Sequence, residues 1–349
     1  MNKIQFNINQ LVRKNVVKLQ PYSSARDEFV DINQDMIFLD ANENPYENGV
    51  NRYPDPQQRN LKEVLANQKK ISDKNILLGN GSDEVLDLIY RAFCEPRVDN
   101  IITLPPTYGM YTVLANINDI EERKVLLDSN FQPDIAAIFD RVDTNSKLLF
   151  ICSPNNPSGN LITQDRVKQI LNRFEGVVII DEAYIDFADQ KSWVDTLNVY
   201  PNLIVTQTLS KAYGLAGVRL GICYASEEII AILNKIKPPY NVNELTQKRA
   251  LDRIANQSQI QTEITAIIEN RIQLENTLST VHFVEKIYTS EANFILAKVD
   301  DANKRYDQLI KEGIVIRNRS KQPLCDNTLR FTVGTTEENK KLITALNRL

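Results

Sequence analysis

The stretch Val177-Val178-Ile179-Ile180-Asp181-Glu182-Ala183-Tyr184 decides the fold. Four consecutive β-branched apolar residues leave no polar face, so the segment predicts a strand buried on both sides, as in the interior of a mostly parallel sheet. Similar short apolar runs recur at 101–104, 147–152, 203–208 and 221–224. Between them lie amphipathic patterns at 83–93, 163–173 and 227–235. This alternation predicts a doubly wound α/β domain, with helices on both faces of the sheet.

Outward from that centre the pattern changes. Lys237-Pro238-Pro239-Tyr240 is a Pro-rich punctuation. After it, 243–278 reads as one long, polar-faced helix broken once near Asn256. Strand patterns at 283–287, 294–298, 314–317 and 329–333 then mix with helices at 302–311 and 336–347, predicting a smaller α+β domain. The first thirty residues carry no strand signal and read as an arm. The expected division is therefore an arm at 1–30, a large domain at 31–240 and a small domain at 241–349. A length of 349 residues fits about two domains.

Composition removes several classes of chemistry. The chain has one histidine (His282), so a two-histidine metal motif is excluded, and no metal is expected. Cys94, Cys152, Cys223 and Cys325 are far apart with no C-x-x-C, which predicts free thiols in a reducing compartment. With 41 basic and 45 acidic residues the formal charge is −4, which argues against nucleic acid or an anionic membrane surface as partner. No signal-peptide pattern or membrane-length apolar run is present, so a cytoplasmic protein with small-molecule substrates is expected.

Four segments carry candidate chemistry, each expected at the exit of a strand. Gly79-Asn80-Gly81-Ser82-Asp83-Glu84 lacks the third glycine of a dinucleotide fingerprint, but it is a Gly-rich turn opening into a helix. Its backbone N–H groups suit one phosphate, or the turn is simply a capped helix start. Ser153-Pro154-Asn155-Asn156-Pro157-Ser158-Gly159 is either a plain loop or the source of a hydrogen bond from Asn156 to a ring oxygen. Asp181 ends an apolar strand, where it either caps the next turn or faces a ligand crevice, and there a buried carboxylate needs a cation such as a protonated pyridine nitrogen. Ser210-Lys211 lies in a Gly-rich stretch running to Arg219. A lysine in a constricted apolar loop can lose its proton and attack a carbonyl, giving a Schiff base. Ser210 and Arg219 suit a phosphate dianion. Together the four describe an aromatic, phosphorylated, carbonyl-bearing ligand, which pyridoxal 5′-phosphate fits.

The combination Asn156-Pro157-Ser158-Gly159, Asp181-x-x-Tyr184, Ser210-Lys211 and Arg219 resembles the class I/II pyridoxal-phosphate-dependent aminotransferases of fold type I. Ser158 stands where that family commonly has threonine, and the hydroxyl is kept. More narrowly, five stretches resemble the members acting on histidinol phosphate: Leu19-Gln20-Pro21-Tyr22-Ser23-Ser24-Ala25-Arg26, Leu39-Asp40-Ala41-Asn42-Glu43-Asn44-Pro45, Arg52-Tyr53-Pro54-Asp55, Pro105-Pro106-Thr107-Tyr108-Gly109-Met110-Tyr111 and Leu329-Arg330-Phe331-Thr332-Val333-Gly334-Thr335.

The resemblance implies a large domain with a mostly parallel sheet of the seven-stranded type, flanked by helices, plus a smaller α+β domain. It implies that Lys211, Asp181 and Tyr184 are catalytic. Lys211 would carry the cofactor as a Schiff base and move a proton at the substrate's Cα, and Asp181 would keep the pyridine nitrogen protonated. Asn156 and Tyr184 would bind the ring oxygen, and Tyr108 would stack on the ring. Gly81, Ser82, Asp83, Ser210 and Arg219 would hold the cofactor phosphate, joined by Tyr53 from the partner of a homodimer with shared active sites. Tyr22, Asn42, Arg317 and Arg330 would surround the acidic end of the substrate, whereas Arg319 is expected to be a solvated surface charge. The implied reaction converts L-histidinol phosphate and 2-oxoglutarate to imidazole-acetol phosphate and L-glutamate, a step of histidine biosynthesis. Alternatives on the same fold are an aromatic amino-acid aminotransferase and a threonine-phosphate decarboxylase. A pyridoxal-binding regulator would need a DNA-binding module, and the arm is too short and neutral for one.

Overall fold

The computed structural model describes residues 6–21 and 37–349. A seven-stranded sheet runs through the larger part of the chain in the order β1-β7-β6-β5-β4-β2-β3. Its strands are β1 (Ile76–Asn80), β2 (Asn100–Thr103), β3 (Glu121–Lys124), β4 (Ser146–Cys152), β5 (Val177–Asp181), β6 (Leu203–Thr208) and β7 (Leu220–Ala225). Only β7 runs antiparallel to its neighbours, and every other pairing is parallel.

Burial explains the uniform apolar runs. In β5, Val178 and Ile180 enter a core cluster on one face, while Val177 and Ile179 enter the cluster on the other. Successive side chains alternate between faces, so a sheet covered on both sides needs an apolar residue at every position. Burying each such side chain contributes about 1.5–3 kcal/mol.

Two strands escape the sequence patterns. β1 ends in Gly79-Asn80, residues that ordinarily mark turns, yet it is buried except for Asn80. β3 is Glu-Glu-Arg-Lys, a wholly charged edge strand pairing with β2 alone. Charge on an exposed edge discourages pairing with another chain.

A second, antiparallel sheet has the order β10-β11-β9-β8, from β8 (Val284–Ile287), β9 (Phe294–Val299), β10 (Arg317–Asn318) and β11 (Thr328–Thr332). Helices Gln257–Leu278, Ala302–Lys311 and Thr336–Leu346 give it a separate core. The long helix breaks at Ala255-Asn256, where the sequence predicts a break. Before the break, Ala250 and Ile254 pack into the core of the large sheet. After it, Leu274 and Leu278 pack into that of the small one. The interruption falls where the chain leaves one core for the other.

The described part of the arm supplies Ile8, Val12 and Val16 to the second core cluster of the large sheet. It is pinned by the Arg13 N–H to the Ala92 carbonyl at 3.0 Å and by an Arg13–Glu95 ion pair at 3.1 Å. Among the described residues no helix is long and apolar enough to cross a membrane.

The sheet register places the site. Cys152 at the end of β4 lies level with Asp181 at the end of β5, and Asp181 lies level with Thr206 near the end of β6. The loops that follow leave from one edge of the sheet, where ligands of open α/β folds bind.

Candidate active site

Strand exits converge on one cavity, lined by Ser82, Asp83, Tyr108, Cys152, Asn156, Asp181, Ala183, Tyr184, Thr208, Ser210, Lys211 and Arg219. Nine of the eleven residues expected to hold the cofactor are in that lining. Gly81 is adjacent, and Tyr53 lies elsewhere.

Close backbone packing builds the floor on one side. Gly81 precedes the helix Ser82–Phe93 at φ +81°, a left-handed conformation that favours glycine. A Cβ there would sit 2.6 Å from Nη2 of Arg219. A Cβ on Gly221 would sit 2.4 Å from the Gly81 carbonyl carbon. Two glycines thus let β7 pass beneath the turn and bring the Arg219 guanidinium over the helix start. Asp83 accepts a hydrogen bond from the Tyr108 hydroxyl at 3.1 Å and lies 3.7 Å from Arg219. The helix's first N–H groups, the Ser210 hydroxyl and Arg219 make a cradle for a phosphate.

Opposite stands Asp181, only 4 % exposed. Its carboxylate accepts from the Tyr111 hydroxyl at 2.7 Å and from the Ala183 N–H at 3.1 Å. Both donors are neutral, and among the described residues no lysine or arginine pairs with it. Burial pushes the carboxyl above the ordinary range, with the Tyr111 bond opposing. Tyr111 is itself fixed by stacking on Phe150, centroids 4.8 Å apart, while Phe150 stacks on Tyr90 at 5.3 Å. Tyr111 lies in a stretch quoted above for its family resemblance, where it had no assigned role; the sequence alone does not place it under Asp181.

Lys211 projects into the cavity, its Nζ 5.7 Å from the Tyr184 ring centroid. Burial, then the nearby Arg330, holds its ammonium below the ordinary lysine value, although much of the side chain stays accessible from the cavity. That favours the free amine. Burial raises the Tyr184 phenol. Tyr184 also packs edge-on against Phe294 of β9 at 5.1 Å, tying the cavity wall to the small sheet.

These residues fit pyridoxal phosphate. Asp181 is a buried carboxylate facing only neutral donors, matched to a pyridinium. Lys211 is an amine with weakened basicity, matched to an aldehyde. The Ser82 helix start with Ser210 and Arg219 is a match for a phosphate.

The residues expected around the substrate are not all together. Arg330 of β11 reaches Asn156, donating from Nη1 to Oδ1, and stacks over Phe294 at 4.8 Å. Burial, then the charge of Arg319, lowers it to about 10. Arg317 is exposed on β10. Asn42 and Tyr53 line a separate, open hollow with Asn243, Glu244 and Leu245. Tyr22 lies outside the described residues. Arg319 departs from its expectation in part: it is half-buried rather than fully solvated, with its Nε enclosed and without a hydrogen-bond partner.

A family profile, aminotransferase class I and II, matches residues 33–346. The chain belongs to this family. It is 63 % identical over 345 residues to the histidinol-phosphate aminotransferase of Flavobacterium johnsoniae, covering 99 % of both chains. It is 62 % identical over 344 residues to that of Christiangramia forsetii, covering 99 % of this chain and 98 % of that one. A crystal structure of the histidinol-phosphate aminotransferase from Clostridium acetobutylicum superposes with a TM-score of 0.79 at 27 % identity, covering 86 % of this chain and 92 % of that one. The fold of the family is therefore the fold described above.

Beside Asp181, Glu182 turns away from the cavity and accepts from the Ser192 hydroxyl, the Trp193 N–H at 2.7 Å and Gln207 at 2.8 Å. Burial lifts its carboxyl from 4.5 to about 7. A raised carboxyl contributes stability that is present below its unfolded value and lost as pH rises through the folded one. Between about pH 5 and pH 7 the wild-type protein is therefore expected to lose stability relative to Glu182→Gln, by at most about 1.4 kcal/mol per pH unit. Urea denaturation of both proteins across that range measures it, and parallel pH profiles would contradict it.

Proposed function

We propose that this chain transfers the amino group of L-histidinol phosphate to 2-oxoglutarate, giving imidazole-acetol phosphate and L-glutamate, with pyridoxal 5′-phosphate as cofactor. The reaction takes a ping-pong course and serves histidine biosynthesis in the cytoplasm. The observation that carries the reaction class is the convergence of Lys211, Asp181 and the Arg219 cradle on one cavity. The choice of substrate is supported by likeness over nearly the whole length to relatives bearing that name.

When bound, the cofactor supplies an aldehyde for the Lys211 amine and a cationic ring that withdraws electrons from the substrate's Cα. Asp181 holds the proton on the ring nitrogen, since a carboxylate in so dry a setting favours a cation beside it. Asn156 and Tyr184 would bind the ring's oxygen, and Tyr108 would stack on the ring. Gly81, Ser82 and Asp83 offer backbone N–H groups to the phosphate, together with Ser210 and Arg219. Lys211, depressed in basicity, would serve as the base that moves the proton at the substrate's Cα. Arg330 meets the anionic end of either substrate, a phosphate or a carboxylate, because its planar fork suits both. Arg317, Asn42 and Tyr22 complete that end.

The working form is a homodimer with shared sites. Leu39, Tyr46, Val50, Tyr53 and Leu245 are all about half exposed or more, clustered in or near the hollow that holds Asn42. Exposed apolar side chains in one region mark an interface. A second copy covering that face would receive Tyr53 at its cofactor phosphate and Asn42 near its substrate. The arm at 1–30, the large domain at 31–240 and the small domain at 241–349 are the units we assign.

Two measurements test this reading. Values of kcat/KM for histidinol phosphate, phenylalanine and threonine phosphate are expected to favour histidinol phosphate by more than about tenfold, the value of one charged hydrogen bond. A preference for phenylalanine, or carbon dioxide release from threonine phosphate, would overturn it. Sedimentation equilibrium is expected to give a dimer that Leu245→Glu weakens, whereas a wild-type monomer would remove the shared site.

A further inference from the structure

We propose that Arg319 is a specificity-determining residue, binding the substrate's phosphate alongside Arg330. The inference rests on the proposed function and extends it to a residue that neither the motifs nor the family resemblance marks.

Geometry places Arg319 with the other two arginines. Arg317 of β10 lies directly across from Arg330 of β11, so their side chains leave one face of the small sheet. Arg319 is two residues beyond Arg317, and its N–H bonds the Thr328 carbonyl at 2.9 Å, which continues the ladder. With the two-residue period of a strand it shares that face. Arg330 on the same face already touches Asn156 in the cavity wall. Arg319 is close enough for its charge to act on both Arg330 and the Tyr184 phenol.

Its chemistry there is unspent. The Arg319 side chain makes no hydrogen bond or ion pair among the described residues, and Nε is buried without a partner. Buried arginines elsewhere in the chain have partners: Arg305 pairs with Asp300, and Arg271, although its Nε is likewise left over, bonds the Ala292 carbonyl and pairs with Glu291. Arg319 is part-buried with its Nε enclosed and unpartnered, and Arg317, Arg319 and Arg330 share one face of the sheet without a carboxylate pairing with any of them among the described residues. The missing partner is an anion. A phosphate dianion offers three terminal oxygens and two negative charges, enough for two guanidiniums at once, where a carboxylate offers two oxygens and one charge. Arg319 therefore favours the phosphorylated amine over uncharged aromatic amines of similar shape.

The test compares histidinol phosphate with histidinol, the same amine without its phosphate, in the holoenzyme. In the wild type, kcat/KM favours the phosphorylated amine. A wild type without that preference would contradict the proposed function itself. In Arg319→Gln the ratio of the two kcat/KM values is expected to fall on the order of 10- to 100-fold, mainly through KM for histidinol phosphate, with Arg319→Lys recovering part of it. Inorganic phosphate, as a competitive inhibitor, should weaken in step. If wild type prefers the phosphate but Arg319→Gln keeps the ratio, or both substrates decline together, the role of Arg319 is refuted and the proposed function stands. Should Arg319→Gln fail to fold, the Arg319→Lys ratio and its phosphate inhibition decide the matter alone.

Discussion

Everything at the cavity depends on one constraint, a carboxylate buried at the end of a central strand without a cation beside it. Asp181 is held there by β5, whose neighbours on both sides are parallel strands, so it cannot swing out to solvent. Among the described residues its hydrogen-bond donors are neutral, Tyr111 and the Ala183 N–H. Ionising such a group in a dry site is unfavourable unless positive charge arrives. The aromatic column of Tyr111, Phe150 and Tyr90 fixes the donor from below, and Lys211, Asn156 and Tyr184 face the same space from other strand exits.

Glu182 shows that burial alone does not mark a functional acid. It is adjacent in sequence and equally enclosed, but it points to the other side of the strand and three donors occupy it. The two carboxylates differ in what remains to be satisfied. The same distinction separates Arg305, closed onto Asp300 at 2.7 Å, from Arg319 and Arg330, whose Nε atoms find no partner.

Much of this was legible in the sequence because two-sided burial writes itself as unbroken apolar runs. β4 to β7 read directly, and so did the helix break near Asn256. β1 and β3 did not, since Gly79-Asn80 and Glu121–Lys124 carry turn and charge signals that tertiary pairing overrides. At the site, Asp181, Asn156 and Lys211 were legible because they end or follow an apolar strand, and Arg219 because it closes the Gly-rich stretch that starts at Ser210-Lys211. Tyr111 was hidden, as its contact spans seventy residues of chain and sits on a helix rather than at a strand exit. Arg319 reads as solvated because Asn318, Ser320 and Lys321 around it are polar, whereas its half-burial follows from pairing with β11, to which its N–H bonds at the Thr328 carbonyl.

The central claim is that Lys211, which lines one cavity with Asp181, is the amine that would take the cofactor's aldehyde. The most direct measurement is borohydride reduction of the purified, pyridoxal-phosphate-loaded protein, followed by peptide mapping by mass spectrometry. The account predicts a single pyridoxyl-phosphate adduct on Lys211, absent from Lys211→Ala. An adduct on a different lysine, or its persistence in Lys211→Ala, would contradict it.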